Sequence, residues 1–294
     1  MGLTDPRVDP CCGVPPAFAD AVLAWGEPRL RDLPWRRTRD PWAVLVSEVM
    51  LQQTQVPRVL PKYLEFLDAF PTAAACAASP LGEVLRRWQG LGYPRRARNL
   101  QAAAVAVVAR GGFPTELDEL LALPGVGPYT ARALRAFAFE LEAAVVDTNV
   151  ARVYARVVGR TLGRREVQAI ADAAAPVGEW WAWNQTIMEL GAVVCRPSRP
   201  GCDACPVAAR CAWRGGADPD PAVGSAGVSV RQARFDGSDR QARGALLRAA
   251  GSAPVPRASL AVAMDRDAER ARLLADALVA EGLLVVEADA YRLP

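Results

Sequence analysis

Apolar positions recur with helical spacing over the first two thirds of the chain, and no stretch alternates with a period of two until the C-terminus. The punctuation agrees. Asp40-Pro41 predicts a helix through Gln53, with the aspartate as N-cap and the proline at the first helical position, and Ser79-Pro80 starts another in the same way. Residues 95–110 carry an Ala/Val face and stop at Gly111-Gly112. Thr115 with Asp118 has the form of a capping box before Leu120–Leu123, and Pro128 suits the first turn of a helix to about Glu140. Val150, Val153, Tyr154 and Val157 mark one face of a helix that Asp147 would cap. These first two thirds read as all-α.

Residues 215–230, rich in Gly, Pro, Ala and Ser, read as a linker. Beyond it, residues 238–250, 256–264 and 267–280 read as three short helices, and residues 282–286 and 291–293 as a terminal hairpin. Three helices and a hairpin make a winged-helix-like α+β module over 231–294. Its second helix-turn-helix helix sets Asp267, Glu269, Asp276 and Glu281 against Arg266, Arg270 and Arg272, which suits packing or a partner better than a basic recognition helix.

Composition narrows the class. The 294 residues are 51% apolar, with no run long enough to span a membrane and no basic, apolar and small-residue leader, so an intracellular, cytoplasmic protein is expected. A formal charge of +3 does not mark a nucleic-acid binder. Arginines do gather locally, at Arg95, Arg96 and Arg98 and at Arg196, Arg199, Arg210 and Arg214, as phosphate contact requires and as a solvated face also would. The chain has no histidine and one lysine, Lys62, which removes His-based metal sites and relays and nearly removes Schiff-base chemistry.

Cys195, Cys202, Cys205 and Cys211 form a C-x6-C-x2-C-x5-C run. Four thiols so close call for a metal partner, and a reducing compartment suits them. A four-cysteine zinc site usually shows two two-residue knuckles; this run has one, which fits a [4Fe-4S] cluster better while leaving zinc as the alternative. Cys11, Cys12 and Cys76 stand apart.

Two carboxylates stand out. Glu48 lies on a helix with Val44, Leu45 and Leu51 a turn away, apolar neighbours that would raise its pKa. Asp147 at a helix start would accept backbone N–H bonds that keep it ionised. A proton donor and an anion in different environments are what cleavage through an oxocarbenium-like sugar needs. Alone, the first would read as a helix-edge glutamate and the second as a plain cap.

The cysteine run, Leu123-Pro124-Gly125-Val126-Gly127, the octapeptide Ser47–Thr54 around Glu48, and Asp147-Thr148-Asn149-Val150 occur in one order over residues 18–214, and together they resemble the helix-hairpin-helix DNA glycosylases. Within that superfamily the chain is similar to the MutY-type adenine glycosylases. The resemblance implies a mainly α helix-hairpin-helix glycosylase fold, with a six-helix lobe over 34–147 and an iron-sulfur lobe from 18–33 and 148–214. It implies a [4Fe-4S] cluster on the four cysteines and, as partner, double-stranded DNA with adenine opposite 8-oxoguanine or guanine, met by a monomer. Gly125, Val126 and Gly127 would offer backbone N–H groups to a phosphate. Glu48 would protonate adenine and later activate water, Asp147 would stabilise the sugar cation, and Asn149 would support it. Tyr129 stands where strand-cleaving relatives place a nucleophilic lysine, which implies hydrolysis without strong lyase activity. Arg31, Trp35, Arg36 and Glu189 would form the adenine pocket, and Leu51, Gln53 and Tyr93 would enter the duplex beside the orphaned base. Pro94 and Thr148 depart from the pattern where a second Tyr and a Gly are frequent, and 231–294 is too short and too helical for the Nudix-like domain usual at this end. A thymine or uracil mismatch glycosylase of the same fold and a non-catalytic iron-sulfur DNA-binding protein are the alternatives.

Overall fold

The computed structural model describes residues 13–15, 17–216, 218–228 and 234–294, so Cys11 and Cys12 lie outside the described residues. Its helices in chain order are α1 Phe18–Gly26, α2 Pro41–Leu51, α3 Val56–Ala69, α4 Ala73–Ala78, α5 Leu81–Trp88, α6 Arg95–Ala109, α7 Leu117–Leu121, α8 Pro128–Phe137, α9 Thr148–Val158, α10 Arg164–Ala174, α11 Trp180–Val193, α12 Asp239–Ser252, α13 Leu260–Met264 and α14 Ala268–Ala280. Three short strands, β1 Val255–Pro256, β2 Val285–Glu287 and β3 Ala290–Arg292, form an antiparallel sheet in the order β1-β3-β2. The chain divides into two compact units, Met1–Arg39 with Gly127–Val230 and Asp40–Val126 with Arg231–Pro294. The expected lobe of 34–147 differs from this division, since residues 127–147 belong with the first unit.

The first unit is built on α1, α9 and α11. Phe18 packs edge-on against Trp183, ring centroids 5.8 Å apart, and lies 6.0 Å from Tyr154. α1 and α11 approach so closely at Gly26 that an added Cβ would lie 1.9 Å from a Thr186 side-chain carbon. Buried Asn184 of α11 accepts from Val145 N at 2.7 Å and donates to Ala143 O at 2.8 Å, fixing the extended segment that leads to Asp147. Residues 218–228 correct the expectation of a linker. Ala222 and Ser225 are buried, the Ser225 hydroxyl accepts from Leu162 N at 3.0 Å, and Asp220 pairs with Arg156 at 2.6 Å. Two polar anchors outweigh a composition that favours disorder.

In the second unit, Asp40 caps α2 as expected, accepting from Trp42 N and Ala43 N at 3.1 and 3.3 Å, but the helix ends at Leu51 because Gln53 takes a left-handed φ of 56°. α5 also begins differently. Pro80 is its N-cap and the Ser79 hydroxyl donates back to Ala75 O at 2.9 Å, closing α4 instead of opening α5. α7 starts at Leu117, with Glu116 and not Thr115 in the N-cap position. The terminal module has the expected hairpin and one strand more, β1, which holds Pro256 at the sheet edge where a missing N–H does no harm. The module docks on α5 and α6. Glu281 pairs with Arg95 of α6 at 2.7 Å and Arg243 of α12 at 2.6 Å, its carbonyl accepts from Arg98, Arg86 donates to Gly251 O at 3.0 Å, and Gly82 N donates to Pro294 O at 3.0 Å.

Candidate active site

Glu48 and the three residues expected to probe the duplex fall in the second unit. Nine of the eleven residues of α2 are buried, Glu48 at 5% exposure among them. Its Oε2 is sealed from solvent. The helix is therefore an interior rod whose C-terminal end carries Leu51 and leads into Gln53. Arg96 fixes that end. Its Nη1 donates to Val49 O, Met50 O and Gln52 O at 2.8, 3.0 and 2.6 Å, while Nη2 donates to Thr54 Oγ1, Leu91 O and Gly92 O at 3.2, 2.9 and 3.1 Å. One half-buried guanidinium thus joins the loop after α2 to the loop bearing Tyr93, and burial lowers its pKa to about 10. Arg96 also lies over the Tyr93 ring at 5.5 Å. Gln53 and Tyr93 both occupy left-handed backbone conformations, φ 56° and 47°, unusual for residues with a Cβ.

The hairpin Leu123–Gly127 closes with Val126 N donating to Leu123 O at 3.1 Å. Gly125 has φ 75°, and a Cβ there would press on Asn99 at 2.6 Å. Gly127 precedes Pro128, the first residue of α8, and a Cβ on it would meet nothing within 4 Å, so this N-terminal turn is open to an approaching anion. Tyr129 is the second residue of α8.

The first unit holds the other carboxylate. Asp147 caps α9 as expected: Oδ1 accepts from Asn149 N at 2.8 Å and Val150 N at 2.7 Å, and Oδ2 accepts from the Asn149 amide at 2.7 Å. The expected direction of the pKa shift needs correction. Burial raises the Asp147 pKa above the usual aspartate value, and these donors and the charge of Arg152 only partly offset it. Behind Asp147 runs a relay. Arg152 donates to Asn149 Oδ1 at 2.8 Å, to Gly191 O at 2.7 Å and to Cys195 O at 2.7 Å.

Arg31, Trp35, Arg36 and Glu189 also come together in this unit. Arg31 Nε donates to Glu189 Oε1 at 2.5 Å, Arg36 Nη2 to Oε2 at 2.8 Å, and Arg36 Nε to Gln185 Oε1 at 2.7 Å. Burial works to raise the Glu189 pKa, but the two arginines outweigh it and hold the carboxyl below its usual value. At 1% exposure Glu189 is enclosed, whereas the Arg31 side chain is 44% exposed. Trp35 is buried in the 3-10 turn Pro34–Arg36.

All four cysteines of the run line one cavity, with Val153, Arg156, Val157 and Trp213 among its other walls. Burial raises the Cys205 pKa to about 11 and that of Cys211 as well, so a bound metal must displace protons here. Arg156, fully buried, donates to Cys195 Sγ at 3.4 Å and to Arg196 O at 2.7 Å, and stacks on Trp213 at 4.5 Å. Among the described residues, no three His, Cys, Asp or Glu side chains converge as ligands of a single ion. Arg152 and Arg156 went unnoticed in the sequence, and Arg96, grouped there with Arg95 and Arg98 as a phosphate contact or a solvated face, is instead turned onto backbone carbonyls. The detectable signal for Arg152 and Arg156 was their place in a helix whose neighbouring positions are Val, Ala and Tyr.

Residues 46–174 match the model of the HhH-GPD superfamily base excision DNA repair proteins. An adenine DNA glycosylase of Mycolicibacterium smegmatis is 41% identical over 278 residues, covering 91% of this chain and 92% of that protein. One from Mycobacterium tuberculosis (strain H37Rv) is 42% identical, covering 88% of each. Among solved structures, a thermostable thymine-DNA glycosylase superposes with a TM-score of 0.63 at 29% identity, over 68% of this chain and 95% of its own. The chain belongs to the adenine DNA glycosylase family of the HhH-GPD superfamily of base excision DNA repair proteins.

Proposed function

We propose that this protein hydrolyses the N-glycosidic bond of adenine paired with 8-oxoguanine or guanine in double-stranded DNA, as a monomer acting on the chromosome in the cytoplasm. The observation that carries the reading is the pair of carboxylates in unlike settings, Glu48 in an apolar helix interior and Asp147 on three donors at a helix start, within a chain similar over nearly its whole length to adenine glycosylases. Glu48 delivers a proton to a ring nitrogen of adenine as the C1′–N9 bond breaks and its electron pair leaves with the base. The oxocarbenium-like sugar is stabilised by ionised Asp147, held by Asn149. Water then adds to C1′ as Glu48 takes its proton, giving free adenine and an abasic site. Tyr129 offers no amine for a Schiff base, so the strand stays intact.

Arg31 is the pocket residue that meets the base edge, with enclosed Glu189 holding it and Arg36 in place, and Trp35 supplies apolar wall. Leu51, Gln53 and Tyr93 enter the stack, and the N–H groups of Gly125–Gly127 take a phosphate. Cys195, Cys202, Cys205 and Cys211, which line one cavity, would hold a [4Fe-4S] cluster as its four thiolate ligands. Bound there, the cluster would supply cross-linking of the 195–211 loop. About four irons and four sulfides per chain are expected from anaerobically prepared protein, and stoichiometric zinc would overturn that assignment.

The likeness to a thymine-DNA glycosylase gives the second reading a specific basis. Single-turnover excision on duplexes carrying A:8-oxoguanine, A:G, T:G and U:G decides between them. Release of adenine from the first two supports the proposal, and release of thymine or uracil alone would replace it.

A further inference from the structure

Tyr93 is held from two directions, and only one of them belongs to the helices around it. The guanidinium of Arg96 lies over its ring at 5.5 Å, from the same loop region. Its hydroxyl accepts from Arg240 Nη1 at 3.1 Å, and Arg240 stands in the first turn of α12, 147 residues further along the chain. We propose that the C-terminal module is a positioning element for the duplex-probing tyrosine, with Arg240 setting the placement of the Tyr93 ring and through it the discrimination between mispairs. The inference rests on the reading that Tyr93 enters the duplex.

Three features support it. Tyr93 is 38% exposed, and although Arg96 and Trp88 hold the carbonyls of the loop around it, these bonds fix the backbone and leave the direction of the exposed ring to its hydroxyl contact. The module itself is anchored without Arg240, by Glu281 on Arg95, by Arg98 on the Glu281 carbonyl, and by Gly251 O and Pro294 O on α5. A rigidly docked module with one arm on the tyrosine hydroxyl is a jig. Finally, a single accessible hydrogen bond adds little to folding, so its loss should be felt in where the ring points and not in whether the unit folds.

A double-mutant cycle tests this with Arg240→Met, Tyr93→Phe and the pair. The cycle is read as the ratio of single-turnover excision on A:8-oxoguanine over A:G and as fluorescence of a 2-aminopurine placed beside the mispair. Each single variant is expected to lose up to about tenfold in that ratio, as a charge-assisted hydrogen bond permits, with the double variant no worse than either and the melting temperature unmoved. Arg240→Lys should recover part of the loss. Additive losses, or an Arg240→Met protein equal to wild type, would overturn the proposal and leave Arg240 at most a phosphate contact. If wild type released no adenine, the functional reading would fall, while the positioning claim would still be decided by amide exchange in the free protein. Arg240→Met must then speed exchange at Gly92 and Tyr93 without speeding it in α6, and unchanged exchange would refute it.

Discussion

The surroundings of Asp147 and those of Glu48 both rest on arginines, but the arginines grip differently. In the first unit the grip joins carbonyls to side chains: Arg152 holds the Gly191 and Cys195 carbonyls but also Asn149, which holds Asp147, and Arg156 holds the Arg196 carbonyl together with Asp220 and the Cys195 thiol. In the second, Arg96 holds mostly carbonyl oxygens, three of them from the end of α2 and two from the Tyr93 loop. The electrostatics follow. Burial works against the charge of Arg156, yet Asp220 and Cys195 leave its pKa raised, whereas burial lowers Arg96 to about 10. A carboxylate set by a side-chain relay can be loosened by one conservative substitution; one set by backbone moves only with its helix.

The strongest break should come at the carboxylates themselves. Glu48→Gln and Asp147→Asn are each expected to lower single-turnover excision by at least ~100-fold while duplex binding stays near wild type. Because burial raises Asp147, and the reaction needs it ionised, the acid limb of the pH–rate profile should lie above the ordinary aspartate range. An acid limb at the unperturbed aspartate value would show that the helix-start donors win after all.

The arginines come next. Arg156→Met strands Asp220 and should cost about 3 kcal/mol in urea unfolding, with Asp220→Asn restoring a good part of it. Arg96→Met strands carbonyls, each worth about 1–3 kcal/mol when buried and unsatisfied, and no second-site side-chain change should restore it. Rescue of Arg96→Met by a single neighbouring substitution would erase the contrast.

The smallest effect is expected at the module's anchor. Hydrogen bonds from Arg95 and Arg243 hold Glu281 at about 2, below its usual 4.5. A depressed carboxyl stabilises fully above the unfolded value and loses that contribution as pH falls through the folded one, so the gap in melting temperature between wild type and Glu281→Gln should be largest at neutral pH and close between pH 4.5 and 2. With Arg95 largely exposed, the gap is on the order of 1 kcal/mol.

What the sequence showed was what is local. The Asp40 and Asp147 caps, the Gly111-Gly112 stop and the terminal hairpin are each set within a few residues, and each is found. The expectation for Asp147 failed in the direction of its pKa shift because burial is a property of the whole unit, not of the cap. Arg152 and Arg156 sit four apart on α9, opposite the apolar face traced by Val150, Val153 and Val157, where solvent was the natural expectation; the helix is instead buried on both sides. Residues 218–228 misled for the converse reason, since flexible composition conceals two anchoring side chains, Asp220 and Ser225. The grip of Arg240 on Tyr93 spans too much chain for spacing to announce it.

The left-handed backbone at Gln53 and Tyr93 has a bearing on how this gene tolerates change. A side chain at such a torsion costs the fold about 1 kcal/mol relative to glycine, so both positions are ones where mutation could make the protein sturdier. A deep mutational library sorted for abundance should enrich glycine at 53 and 93, and the same library sorted for low spontaneous mutation rate should purge it. Where those two rankings part company, the sequence is answering to the DNA and not to its own folding.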